Sequence, residues 1–225
     1  MRTETAKTEP YAKRSLSEYL SDAASGQPTP GGGSVAALAA ALAAAMSGMV
    51  AEFTTGREKY LDVQAELDQL LPALKEHRNR LLGCVDEDVL AYGEVSKAYK
   101  MPKNTKEERA ERSQAIAEAS RTALSVPMDV ARECLQIARI ASRLSEIGNP
   151  QLITDAGVSA LLCLASAQSA ALNVEINLSG TKDPSFCEIV RKELGQILSE
   201  VGSLRDKVWE KVIQDIDFDG SSVLR

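Results

Sequence analysis

The chain has 225 residues and a formal charge of −6, with 44% hydrophobic residues and only 4% aromatic ones. Its length suits one large or two small domains with a buried core, and its acidity excludes a general attraction to nucleic acid or anionic membranes. Abundant alanine and leucine with few aromatics favour helices packed through small side chains over a β-rich core. The first 14 residues are polar, carry no secretory apolar region and read as a flexible extension. Leu16 to Ala24 follows as a short amphipathic helix. Next comes QPTPGGGS (Gln27 to Ser34), with Ser34 as the expected N-cap of an alanine-rich helix. In that helix Val35, Leu38, Leu42, Met46, Met49 and Phe53 recur at helical spacing, a single apolar stripe on a helix expected to lie buried. Val35 to Ala51 is short for a membrane span and is more than half alanine, so no membrane partner is expected.

Leu61 to Tyr99 reads as one or two helices with a kink at Pro72. Thr105-Lys-Glu-Glu108 has capping-box spacing and opens a charged helix. Pro127 suits the first turn of a further helix running to Ile147, and Gly148-Asn149-Pro150 stops it. Thr154-Asp155 is the expected cap of a helix through Asn177. Asp183-Pro184 starts the last helix, which reaches about Ile216. The expectation is an all-α, single-domain bundle of about seven helices over 1–225, with a loose tail over 217–225. The four cysteines are far apart and form no CxxC pair. They read as reduced thiols of a cytoplasmic protein.

Three constellations could carry chemistry. The glycines of Gly31-Gly32-Gly33 fit neither a P-loop, which needs a following lysine, nor a dinucleotide loop, which needs a preceding strand. They serve either a ligand at a helix N-terminus or a close helix crossing. Asp86 and Asp88 of VDEDVLAY lie two apart, so they do not share a helix face. One of them at a core boundary would have a raised pKa suited to proton transfer; otherwise they are an ordinary acidic surface. Asn173 and Asn177 share one face of an apolar helix, where amides need partners from a facing helix or a heteroaromatic ligand. His77, the only histidine, sits in a polar stretch and reads as solvated. With Asp215-Ile-Asp-Phe-Asp-Gly220 lacking the closing glutamate of a calcium loop, no metal site is expected.

Seven segments in order carry a further likeness: PTPGGGSVAALAAALAAAMSGMV, TTGREKY, VDEDVLAY, MPKNTKEER, VPMDVA, GN…TDAG and NVEIN. From about Leu16 to Trp209 the chain resembles the cyclodeaminase/cyclohydrolase family, related to the C-terminal domain of formiminotransferase-cyclodeaminase. Met101 and Thr154 depart from the expected leucine and serine, and the polar extension is additional. The resemblance implies an all-α homodimer that uses a tetrahydrofolate derivative as substrate, with no tightly bound cofactor. Two activities follow from it: hydrolysis of the 5,10-methenyl form to the 10-formyl form, and cyclisation of the 5-formimino form with loss of ammonia. Without a formiminotransferase domain alongside, the hydrolytic activity is the expected one. The resemblance points to Asp88 as general acid/base and leaves Asp86 structural. Gly31, Gly32, Gly33, Ser34, Asn149, Asp155 and Asn177 become candidates for the pterin and reacting bridge, and Lys103 for the glutamate carboxylates. The contrasting possibility is a non-catalytic helical oligomerisation or binding protein, which would leave Asp88 on open surface.

Overall fold

The computed structural model describes residues 9–181 and 183–216; residues 1–8, 182 and the expected loose tail over 217–225, with most of the acidic run ending at Gly220, lie outside them. Among the described residues there are six α-helices and no strand: α1 (Leu16–Ala23), α2 (Gly32–Glu52), α3 (Gln64–Tyr99), α4 (Lys106–Ile147), α5 (Ile153–Leu178) and α6 (Pro184–Asp215). The all-α expectation holds, but the count is six rather than seven. The charged helix after Thr105 and the helix expected to begin at Pro127 are one element of 42 residues. A proline inside a helix costs about 3 kcal/mol or more. Here that cost is offset because Val126, Pro127, Met128, Val130 and Ala131 are all buried, and burying a side chain the size of valine or methionine contributes about 1.5–3 kcal/mol. Pro72 likewise lies inside the continuous α3.

Capping follows the expected chemistry at several ends. Ser15 with Glu18, and Thr105 with Glu108, form complete capping boxes, and Asp183 accepts from the Phe186 N–H at the start of α6. Two expectations fail. Ser34 is not the cap of α2; Gly31 is, and the helix begins at Gly32. Thr154-Asp155 lies inside the first turn of α5, preceded by a 3-10 turn (Pro150–Leu152) that Asn149 caps through its side chain.

Specific contacts set the helix directions. Gly32 meets Asn173 and Ala43 meets Ser159, so α2 and α5 run antiparallel. Arg80 pairs with Asp129, and Arg143 with Glu66, which makes α3 and α4 antiparallel. Arg132 and Arg139 pair with Glu193 and Glu200, so α4 and α6 run the same way. Apart from the half-buried Arg80–Asp129 pair, these pairs are exposed and fix register more than stability, since each contributes roughly 0–1 kcal/mol. His77 is not solvated as expected: its Nδ1 lies 2.6 Å from Glu133 Oε2 between α3 and α4.

The alanine-rich helix is buried on its small face. Ala37, Ala40, Ala43, Ala44 and Ala51 are fully enclosed, which lets α3 and α5 approach its backbone closely. Ser159 spends its hydroxyl proton on the Ala43 carbonyl (2.8 Å), so Ser47 must donate to Ser159 Oγ (2.8 Å). Of the stripe of large residues, Leu38 packs on the core, whereas Val35, Leu42 (51%) and Phe53 (48%) are exposed. Val158, Leu161, Leu172 and Ile176 are exposed on the neighbouring α5, which has no charged residue from 157 through 174. By length and composition α2 and the stretch Pro150–Leu178 could each cross a membrane, yet both pack in the bundle.

Candidate active site

The glycines open α2 where α3 passes closest to its first turn. Gly31 has ordinary extended backbone as the cap, so left-handed geometry is not what requires glycine there. Close approach is the reason at Gly33. A Cβ on that residue would overlap the Asp88 carboxylate, lying 2.7 Å from its Cγ. A Cβ on Gly32 would meet the Asn173 amide of α5 at 3.4 Å. Asp88 of α3 is therefore set against bare helix backbone, with its Oδ2 accepting the Ser34 N–H at 3.0 Å.

Ser34 is fully buried and holds this corner together. Its hydroxyl donates to the Val85 carbonyl at 2.9 Å. A hydroxyl has one proton, so Tyr19, 3.0 Å away and 4% exposed, is the donor to Ser34 Oγ. Burial raises the Tyr19 phenol. Burial also raises the Asp88 carboxyl, against the opposing effect of the Ser34 N–H. Among the described carboxyl groups with a resolved shift, Asp88 is the one raised. Glu66, Glu146, Glu175 and Glu200 are lowered by hydrogen bonds from Arg143, Lys207, Arg191 and Arg139. Cys84, one turn before Asp88, is pushed up to about 12 by burial, which keeps it a thiol and removes it as a nucleophile. The corner thus sets a carboxyl with a raised pKa beside the first N–H groups of α2, which have no intrahelical acceptor.

Asp86, two residues earlier, points elsewhere. Its carboxylate accepts from the Tyr11 N–H at 2.6 Å and the Ala12 N–H at 3.3 Å, tying a 3-10 turn (Tyr11–Lys13) to α3. Within the extension expected over 1–14, these described residues are docked on the bundle.

The candidates fall into two groups. Asp88, Gly31, Gly32, Gly33 and Ser34 share one end of α2, and the half-buried Asn177 lies one turn beyond Asn173 on the same α5. Asn149 and Asp155 are at the other end. Gly148, next to Asn149, meets Val50, and Val50 is about 25 Å along α2 from Gly33 at 1.5 Å per residue. Asn149 is buried there, its N–H donating to Thr54 Oγ1 at 2.9 Å and its Oδ1 accepting from Gln151. The single chain does not bring these two residues to Asp88. Lys103 is exposed in the α3–α4 connection, beyond Tyr99 and so about 16 Å further along α3 than Asp88. Sequence reasoning missed Tyr19 altogether and passed over Asn173 in favour of Asn177.

Comparison with known proteins follows the same lines. The family described as formiminotransferase-cyclodeaminase matches residues 15–196. A methenyltetrahydrofolate cyclohydrolase of Methylorubrum extorquens is 42% identical, the match covering 88% of this chain and 95% of that protein. A formimidoyltransferase-cyclodeaminase of Rattus norvegicus is 34% identical over 83% of this chain but only 34% of its own length. The crystal structure of a formiminotetrahydrofolate cyclodeaminase from Thermotoga maritima superposes with a TM-score of 0.82 at 32% identity, covering 91% of this chain and 98% of that one. The chain belongs to the formiminotransferase-cyclodeaminase family.

Proposed function

We propose that this protein hydrolyses 5,10-methenyltetrahydrofolate to 10-formyltetrahydrofolate, with Asp88 as the proton carrier. The observation that carries the reading is the half-buried, raised carboxyl of Asp88 held against Gly33 at the start of α2. A raised pKa makes a carboxyl a better proton carrier than an ordinary, fully ionised one. Water adds to the cationic carbon between N5 and N10, and ionised Asp88 takes one of its protons as the C–O bond forms. The adduct then collapses. The C–N5 bond breaks, N5 receives the proton from Asp88, and the adduct hydroxyl loses its proton to solvent as it becomes the formyl carbonyl. Overall one water is consumed and one proton released. The negative charge of Asp88 favours the cationic substrate, and the free N–H groups of Gly32 and Gly33 serve the oxygen of the adduct. Asn177, with Asn173, presents amides to the pterin edge, and Lys103 serves the glutamate carboxylates at the far end of the folate.

The similarity to a cyclohydrolase along 95% of that protein's length favours this direction. The second reading is cyclisation of 5-formiminotetrahydrofolate, where Asp88 would protonate the departing ammonia. It is favoured by the likeness to the cyclodeaminase of Thermotoga maritima. In neither reading is a tightly bound cofactor used; the folate is the substrate. A cytoplasmic location fits the four buried free thiols, which a reducing compartment preserves.

The working unit in this proposal is a homodimer joined through the outward apolar face of α2 and α5. A contiguous uncharged apolar face is the usual mark of an interface. Antiparallel pairing of α2 with its copy would carry the Asn149–Asp155 end of one protomer towards the Asp88 end of the other. That arrangement gives both residues their expected place beside the substrate. The test of the reaction is to offer purified protein each folate and follow methenyl absorbance. Loss of 5,10-methenyltetrahydrofolate supports hydrolysis, gain from the 5-formimino compound supports cyclisation, and no change with either overturns both.

A further inference from the structure

The segment just ahead of the family match, which begins at residue 15, is connected to Asp88 by an unbroken series of contacts. Asp86 holds the N–H groups of Tyr11 and Ala12. The Tyr11 hydroxyl donates to Asp22 Oδ2 at 3.2 Å, and Arg14 reaches the same oxygen at 3.4 Å while lying 4.3 Å over the Tyr11 ring. The Tyr11 ring stacks edge-on against Tyr19, with centroids 5.4 Å apart. Tyr19 donates to Ser34, and Ser34 holds Asp88 through its N–H. Apart from Tyr19, α1 has no buried residue, and Leu16 and Leu20 are exposed. Tyr19 reaches the main core and Ser34 from this otherwise exposed helix, and the Tyr11 ring packs against it from the segment ahead.

We propose that residues 10–14 form a clasp, anchored on Asp86, that holds Tyr19 against Ser34 and so fixes the Asp88 carboxylate. Asp86, Tyr11 and Tyr19 are positioning residues, since none of them needs to touch the substrate. The two aspartates of VDEDV then divide the work: Asp88 faces the reaction, and Asp86 secures the element that aims it. This inference rests on Asp88 being the proton carrier. A side chain misplaced by about 1 Å can lose up to a hundredfold in rate, so small slackness at Tyr19 has a measurable consequence.

The test compares wild type with Asp86→Ala, Asp86→Asn, Tyr19→Phe and Asp88→Asn in full-length protein, using steady-state kinetics on 5,10-methenyltetrahydrofolate and limited trypsin digestion. In Asp86→Ala the clasp opens, so cleavage after Lys13 and Arg14 accelerates. Its kcat is expected to fall about ten- to a hundredfold while KM stays within about twofold. Asp86→Asn keeps one acceptor oxygen for the Tyr11 N–H and restores part of the rate and of the trypsin resistance. Tyr19→Phe keeps the ring and the closed clasp, loses the donor to Ser34, and lowers kcat without faster cleavage. Should Asp86→Ala fail to fold, the Asp86→Asn and Tyr19→Phe results decide. Wild-type kcat in a soluble variant with an opened clasp, or in Tyr19→Phe, overturns the proposal. Loss of turnover in Asp88→Asn with normal kcat in the others overturns the clasp alone; full turnover in Asp88→Asn overturns the role of Asp88 on which it rests.

Discussion

At the residue scale the site is built on one missing side chain. Gly33 has no Cβ because the Asp88 carboxylate occupies that space, and the same contact puts Asp88 beside the Ser34 N–H. Gly33→Ala must push the carboxylate aside, and turnover is expected to fall about a hundredfold, as misplacement of a reacting group does. Gly32→Ala meets only the Asn173 amide at 3.4 Å and is expected to cost much less; equal losses in the two variants by kcat/KM would contradict this geometry. Stability gives a second check. Burial raises the Asp88 carboxyl above its ordinary 3.8. The native state therefore prefers the protonated form, and the stability this contributes is lost as pH rises through the raised pKa. Asp88→Asn, which stays neutral and keeps an acceptor for Ser34, is expected to melt higher than wild type at pH 7, with the gain vanishing below about pH 4. A thermal melt series across pH measures it. Asp88 was singled out only by the resemblance that VDEDVLAY helps to carry, because two aspartates two apart on a helix do not by themselves say which one meets a neighbour. Tyr19 was not legible at all, and Asn173 was legible only as an amide needing a partner, because their places come from contacts with Ser34 and Gly32 that adjacent sequence does not signal.

At the element scale, local chemistry announced most helix ends and misjudged one continuity. Thr105 with Glu108, Gly148 and Asp183 all act as their residue types suggest. Pro127 read as a helix start because proline favours a first turn, yet buried neighbours on both sides keep α4 whole. The apolar period of α2 left open which face packs inward. In an alanine-rich helix the small residues make the closest packing, which leaves Val35, Leu42 and Phe53 outward. The buried Ser47–Ser159–Ala43 hydrogen bonds lock this arrangement. Ser159→Ala removes the acceptor of the Ser47 hydroxyl and the second donor to the Ala43 carbonyl, and is expected to cost roughly 1–3 kcal/mol in urea unfolding.

At the scale of the molecule, the bundle places the glycine corner and Asp88 at one end of α2, and Asn149 with Asp155 at the other. The proposed homodimer reconciles that division, since an antiparallel copy brings opposite ends together. Leu42, 51% exposed near the middle of α2, lies at the centre of such a pairing. Leu42→Lys would bury an unpaired ammonium in an apolar interface and is expected to yield a monomer by sedimentation, with activity falling in parallel. A wild-type protein that sediments as a monomer would instead contradict the pairing. The central claim is the role of Asp88, and its most direct measurement is single-site kinetics. Purified wild type and Asp88→Asn are compared by the decay of methenyl absorbance, with helical content verified for both. The account predicts a fall in kcat of about 10²–10⁴-fold, the usual worth of a general acid/base, in a protein that is otherwise folded. Turnover by Asp88→Asn at the wild-type rate would contradict it.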